Sequence, residues 1–164
     1  MENKIGETLL RKAFVIAKNS KLNGNLSYGC LLVDENHKII LEAENSVLTE
    51  NDSLGHAEIN LIREASKLYS PDFLNKCTIY TSDEPCPMCS SAIFWGGIGK
   101  LTFGLSKARF YQEFGHGNPN IDFNISSRDI LKSGGRKVEI EGPFLEDEAL
   151  LIHKCVTDEP PVGQ

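Results

Sequence analysis

No stretch of the sequence approaches the ~20 mostly apolar residues that a membrane-spanning helix needs. The longest apolar runs are pieces such as Cys30–Val33 and Ala149–Ile152. The opening MENKIGETLLRKAF has no uninterrupted apolar core and no small-residue cleavage site, so it does not read as a secretory signal, and the expected location is cytoplasmic. An excess of positive charge is also missing. Lys and Arg total 17 against 23 Asp and Glu, a net charge of −6. Binding to nucleic acid or an anionic membrane rests on clustered Lys and Arg, so neither is an expected partner. Repeats, low-complexity tracts and linkers are absent. Cysteine is sparse and odd in number: Cys30, Cys77, Cys86, Cys89 and Cys155. Without a secretory signal this argues against a disulfide framework.

What is present is ordinary for one globular domain: 164 residues, 40% hydrophobic and 24% charged, enough to bury one sizeable core. The domain is expected over residues 1–157, with 158–164 as a flexible C-terminal tail. Apolar residues Leu10, Ala13, Phe14 and Ala17 recur at helical spacing, which predicts a helix over roughly 7–19. Two short apolar runs, 28–33 and 38–43, flank a polar turn and predict a hairpin. A polar loop follows to about residue 55. Helices are predicted over 57–69, 86–95, about 128–132 and 146–155, and strands over 77–81, 100–104 and 138–141. The stretch 105–126 has no readable period. Strands alternating with helices predict an α/β fold with a sheet covered on both faces and partly parallel.

In the helix over 57–69, Glu58, Leu61, Ile62, Ala65, Leu68 and Tyr69 fall in one stripe at 100° per residue. Glu58 lies near the stripe's centre, and a carboxylate facing a core is costly unless something compensates it. A salt-bridged Glu at a helix start, where the dipole favours an anion, is the plain alternative. His56 sits at that helix's cap. Further on, Pro85-Cys86-Pro87-Met88-Cys89 opens the next helix with two cysteines three apart, so both sulfurs share a face at a helix N-terminus. A Cys-x-x-Cys is either a redox pair or half of a metal site. A redox pair needs neither His56 nor Glu58.

His56, Cys86 and Cys89 make three zinc ligands. His37, His116 and His153 lack convincing spacing for a fourth. Three ligands leave one corner open, which is the catalytic rather than the structural arrangement. An open corner holds water whose pKa zinc lowers towards neutrality, and Glu58 then has a task, taking a proton from that water and returning it to the substrate. The order His-x-Glu, then Pro-Cys-x-x-Cys, each half opening a predicted helix, is the signature of zinc deaminases acting on nucleobases. The expected chemistry is attack by zinc-bound hydroxide on a ring carbon bearing an amine, with Glu58 as proton shuttle and loss of ammonia. Cys30, Cys77 and Cys155 read as small buried hydrophobes.

On these residues the chain resembles the cytidine deaminase-like superfamily over nearly its full length. The segments NDSLGHAE (51–58) and YTSDEPCPMCSSAIFW (80–95) are most similar to bacterial guanine deaminases. The resemblance implies a three-layer αβα sandwich with a mixed five-stranded sheet and zinc (Zn2+) between two helix N-termini. It implies guanine as substrate, giving xanthine and ammonia, with Asn45, Ala57, Trp95 and Asp122 as substrate-binding residues and a homodimer as the working form. Cytosine, guanosine and aminotriazine are alternatives in the same reaction class. A transfer-RNA adenosine deaminase fits less well because the chain is acidic, and a non-catalytic zinc module would want a fourth Cys or His. The chain departs from the family in having Asp83 where Cys is common, Ser27-Tyr28 in place of Pro-Phe, and its own text over 112–124. Trp95 lies about 180° from Cys86 on an ideal helix, so it does not easily face its own zinc; it reads either as a core or surface-patch aromatic or as a residue that crosses a subunit contact to complete a neighbour's pocket. Phe110, Tyr111, Phe114 and Phe123 read either as a satellite core or as an aromatic lid.

Overall fold

The computed structural model describes residues 2–116 and 123–154. Its centre is a five-stranded mixed sheet in the order β2-β1-β3-β4-β5. The strands are β1 (Gly29–Val33), β2 (Ile39–Glu44), β3 (Thr78–Asp83), β4 (Lys100–Leu105) and β5 (Glu139–Glu141). β1 pairs antiparallel with β2 and β3, while β3–β4 and β4–β5 are parallel. Every residue of β1 is buried, as expected of a central strand with layers on both sides.

Successive strand residues point to opposite faces, so the sheet feeds two cores. Cys30, Leu32, Ile79, Leu101 and Phe103 pack under helices α3 (Ala57–Leu68), α5 (Pro87–Trp95) and α7 (Ser127–Lys132). Leu31, Val33 and Tyr80 pack under α1 (Glu2–Leu22) and α8 (Glu146–Lys154), joined by Leu105 at the very end of β4. This is the expected αβα sandwich. The close seat of α1 explains Gly29: a Cβ there would lie 2.4 Å from the backbone nitrogen of Ala17. Cys30 and Cys77 are buried as expected. Cys155 and the tail over 158–164 lie outside the described residues.

Several elements differ from expectation. The first helix runs the full span of α1 rather than 7–19. Three short helices were not predicted: α2 (Val47–Glu50), α4 (Pro71–Leu74) and α6 (Lys107–Phe114). Pro71, expected only to follow the end of α3, also starts α4 at its first position, where the Ser70 hydroxyl accepts from the Phe73 N–H, because Pro needs no hydrogen-bond partner there. α6 is capped by Ser106, whose hydroxyl accepts from the Arg109 N–H. On α3, Leu61, Ile62 and Ala65 are buried, but Leu68 is 61% exposed. At 100° per residue Leu68 stands about 80° from Glu58, at the stripe's edge, and the helix ends there.

Candidate metal centre and base pocket

Both helices that carry the predicted signature begin beside the C-terminal end of β3. His56 is the N-cap of α3 and Cys86 the N-cap of α5. Both caps are extended (φ −67°, ψ 148° and φ −64°, ψ 169°), and neither uses its side chain to cap its helix. Imidazole and thiol are therefore free to turn towards each other. Pro87, at the first position of α5, fixes the entry of that helix. The Ser90 hydroxyl bonds the Pro85 carbonyl and holds the turn before it.

The His56 Nδ1 atom lies 3.7 Å from Cys86 Sγ and 3.5 Å from Cys89 Sγ. A tetrahedral zinc with Zn–S near 2.3 Å and Zn–N near 2.0 Å has S···N edges of about 3.5 Å. The donor set therefore already stands at ligand spacing. Among the described residues, His56, Cys86 and Cys89 form the one group of ligand atoms close enough to hold a metal. The other three histidines are not in this group: His37 is in the hairpin turn with positive φ, His116 packs its ring against Tyr111, and His153 is bonded to Asp83.

The electrostatics fit an ion at this point. Hydrogen bonds from Cys89 and His56 pull the Cys86 thiol down to about 4, although burial works against them. Cys89 is pushed up by sharing its proton with Cys86 and by burial. His56 is raised by its bond to Cys86. Burial, with the charge of Cys86 next to it, lifts Glu58 to about 7. Glu58 is 8% exposed, and its Oε2 lies 3.4 Å from Cys89 Sγ. A carboxylate poised near neutrality is suited to taking up and releasing a proton.

The centre opens into a cavity of about 250 Å³. Its walls include Tyr28, Asn45, Asp83, Glu84, Phe110 and Tyr111, with Lys107 at the side. Asn45 is 1% exposed. Its Oδ1 accepts from the Val47 N–H, while its Nδ2 is buried with no partner within the described structure. Such a donor is costly unless a ligand pairs it. The loop that carries Asn45 is bolted to α3 by Asn60, whose Nδ2 donates to the Glu44 carbonyl and the Ser46 hydroxyl. Ala57 is fully buried at the first position of α3.

The structure thus brings together His56, Glu58, Cys86, Cys89 and Asn45, while Ala57, fully buried between His56 and Glu58, is not among the residues that line the cavity. The structure does not bring Trp95 to this cavity. That ring is 83% exposed and touches Phe94 edge-on. Asp122 lies outside the described residues. Of the four aromatics of the variable segment, Phe110 and Tyr111 line the cavity, Phe114 packs against Phe110, and Phe123 is 72% exposed. The segment is thus pocket wall at one end. Tyr28 and Asp83, already marked in the sequence as departures from the family text, line the cavity. Glu84, which the sequence reading did not single out, lines it too; its signal is position alone, between the end of β3 and Pro85.

Residues 3–105 match the family described as the cytidine and deoxycytidylate deaminase zinc-binding region. The chain is 40% identical over 149 residues to a protein of Schizosaccharomyces pombe described as a probable cytosine deaminase, covering 91% of this chain and 90% of that one. It is 41% identical over 92 residues to the guanine deaminase of Bacillus subtilis, covering 54% of this chain and 57% of the relative, so it spans little more than half of that protein's length. A solved structure from work on tRNA:A34 deaminases, acting at the wobble position of transfer RNA, superposes with a TM-score of 0.64 at 22% identity. That superposition covers 89% of this chain and 99% of the other, and is a likeness of fold.

Proposed function

We propose that the chain, which belongs to the cytidine and deoxycytidylate deaminase zinc-binding family and is a zinc-dependent deaminase, acts on a free nucleobase. The observation that carries this is a small cavity walled by carboxylates in front of the ligand set. At about 250 Å³ it falls below the ~300–1,000 Å³ of pockets for drug-sized ligands, which suits a single planar ring system. Glu58, Asp83 and Glu84 all face it. Lys107, the cation at its side, already donates its Nζ to the carbonyls of Phe123 and Ile125. A nucleotide or a transfer RNA would bring phosphate against these acids, and the net charge of −6 gives a polyanion no general attraction.

Cytosine is the first base in this reading. The S. pombe relative matches over 91% of this chain and 90% of its own length. Guanine is the second, favoured by the B. subtilis relative, whose likeness is as strong but covers little more than half the chain.

His56, Cys86 and Cys89 would hold the zinc, which supplies Lewis acidity and brings a bound water's pKa towards neutrality. Asn45 offers its unpaired Nδ2 to a carbonyl or ring nitrogen of the base and so fixes its orientation. The walls of Tyr28, Phe110 and Tyr111 exclude bulk water. Glu58 takes up one proton of the attacking water at its buried carboxylate and delivers it to the ring nitrogen, then carries that water's second proton to the amine, which departs as ammonia. Its burial keeps it able to hold that proton near neutral pH. The working form is proposed to be a homodimer, with the exposed Trp95 at the contact.

The test is ammonia release from purified zinc-loaded protein given cytosine, guanine, aminotriazine, the matching nucleosides and transfer RNA. Turnover of a free base with little or none on nucleosides is expected. Turnover confined to nucleosides or to transfer RNA would overturn the reading.

A further inference from the structure

Asp83, the last residue of β3, lines the cavity beside His56, Glu58 and Cys86. Its side chain is 12% exposed, and that of His153 on α8 is 11% exposed. Asp83 Oδ2 lies 2.8 Å from His153 Nε2, and Oδ1 accepts from the Ser82 hydroxyl at 2.8 Å. An ionised carboxylate offers about four acceptor positions, so these partners leave capacity towards the cavity. The His153 ring is itself seated among aromatics. Its centroid lies 5.6 Å from Tyr28, 5.2 Å from Phe110 and 6.0 Å from Phe114. Tyr28 and Phe110 are cavity wall. One side chain of α8 thus fixes both an acceptor and the apolar wall beside it.

Resting on the free-base reading, we propose that Asp83, positioned by His153, is a specificity-determining residue that accepts a hydrogen bond from a ring N–H of the substrate. The pairing arithmetic of the pocket supports this. Asn45 has its acceptor engaged and its donor free, so it calls for an acceptor on the base. Asp83 has no proton to give when ionised, so it calls for a donor. A free amino-bearing base with an unsubstituted ring nitrogen supplies both. Substitution of that nitrogen by methyl or sugar sets carbon against a desolvated carboxylate. A site built to hydrogen-bond one N–H rejects analogues that lack it far more strongly than a merely apolar pocket could.

The test compares wild type, Asp83→Asn, His153→Gln and His153→Leu. Each is assayed on the free base that wild type deaminates best and on its singly N-methylated ring isomers, with zinc content and urea stability measured alongside. One methyl isomer should lose at least about 100-fold in kcat/KM with wild type. Asp83→Asn, which keeps shape but presents an amide, should lose about 10- to 100-fold on the parent base, mainly through KM, with zinc retained, and its discrimination against that isomer should fall by a similar factor. His153→Gln, which keeps a donor, should retain more of the parent activity than His153→Leu. Equal losses on parent and methylated bases, or an unchanged KM in Asp83→Asn, would overturn the proposal and leave the deaminase reading standing. A wild type that deaminates no free base would overturn the free-base reading, and this proposal with it.

Discussion

At the scale of single residues, the centre depends on side chains that are misplaced by ordinary folding rules. His56 and Cys86 occupy N-cap positions that Ser, Thr, Asp or Asn fill best, and they cap nothing. Glu58 is a buried acid, lifted by burial and by the charge of Cys86, with His56 only partly offsetting them. A zinc ion held by the two sulfurs and the imidazole would compensate these departures, with the Glu58 carboxylate beside the ligand set. Glu58→Gln, nearly isosteric, should therefore keep zinc at the wild-type ratio and lose about 10²- to 10⁴-fold in kcat, checked by metal analysis alongside the ammonia assay. The ligands bind zinc deprotonated. Cys86 holds His56 to its proton, and its hydrogen bond together with burial holds Cys89 to its own. Protons therefore compete with zinc, and affinity falls as pH falls. Zinc release to a chromophoric chelator should rise steadily on acidification from neutrality.

At the scale of elements, Glu84 is the joint of the cavity wall. Its Oε2 accepts from the Lys107 N–H at the start of α6, and its Oε1 accepts from both the N–H and the hydroxyl of Ser127 at the start of α7. An anion at two helix starts satisfies donors that have no partner within their own helices. Ser106 is held from the other side by Glu146 of α8. This is why α6 forms where hydrophobic period gives no sign of it. Glu84→Ala should cost about 1–3 kcal/mol in urea unfolding. It should also raise KM for the base, because α6 carries Phe110 and Tyr111 into the wall.

At the scale of the molecule, the parallel β3–β4–β5 half and the antiparallel β2–β1–β3 half meet at β3, and the centre stands where β3 ends. The helices bearing the ligands lie on one face of the sheet. α8, on the other face, reaches round to the cavity through His153. Trp95 remains outside this design, since its 83% exposure leaves a large apolar ring in water. On the proposed homodimer, Trp95→Arg should shift the sedimentation of the protein from dimer to monomer while zinc stays bound. A wild type that sediments as a monomer at micromolar concentration would remove the dimer.

The sequence alone determined the His-Cys-Cys ligand set, the buried acid beside it and the layered fold. The physical reason is that each is a local pattern: a cap residue, a three-residue spacing, a buried stripe, an alternation of strand and helix. His56, Glu58, Cys86 and Cys89 could be read because each pair sits within one turn of its own helix start. Tertiary structure decided the rest. Asp83 and His153 are 70 residues apart, and no periodicity links them. The orphaned donor of Asn45 is defined by what surrounds it rather than by what it is. The extent of α6 is set by carboxylates from β3 and α8. A pocket's preference among bases is a sum over such distant neighbours, and distance along the chain says nothing about which of them the sheet will bring together.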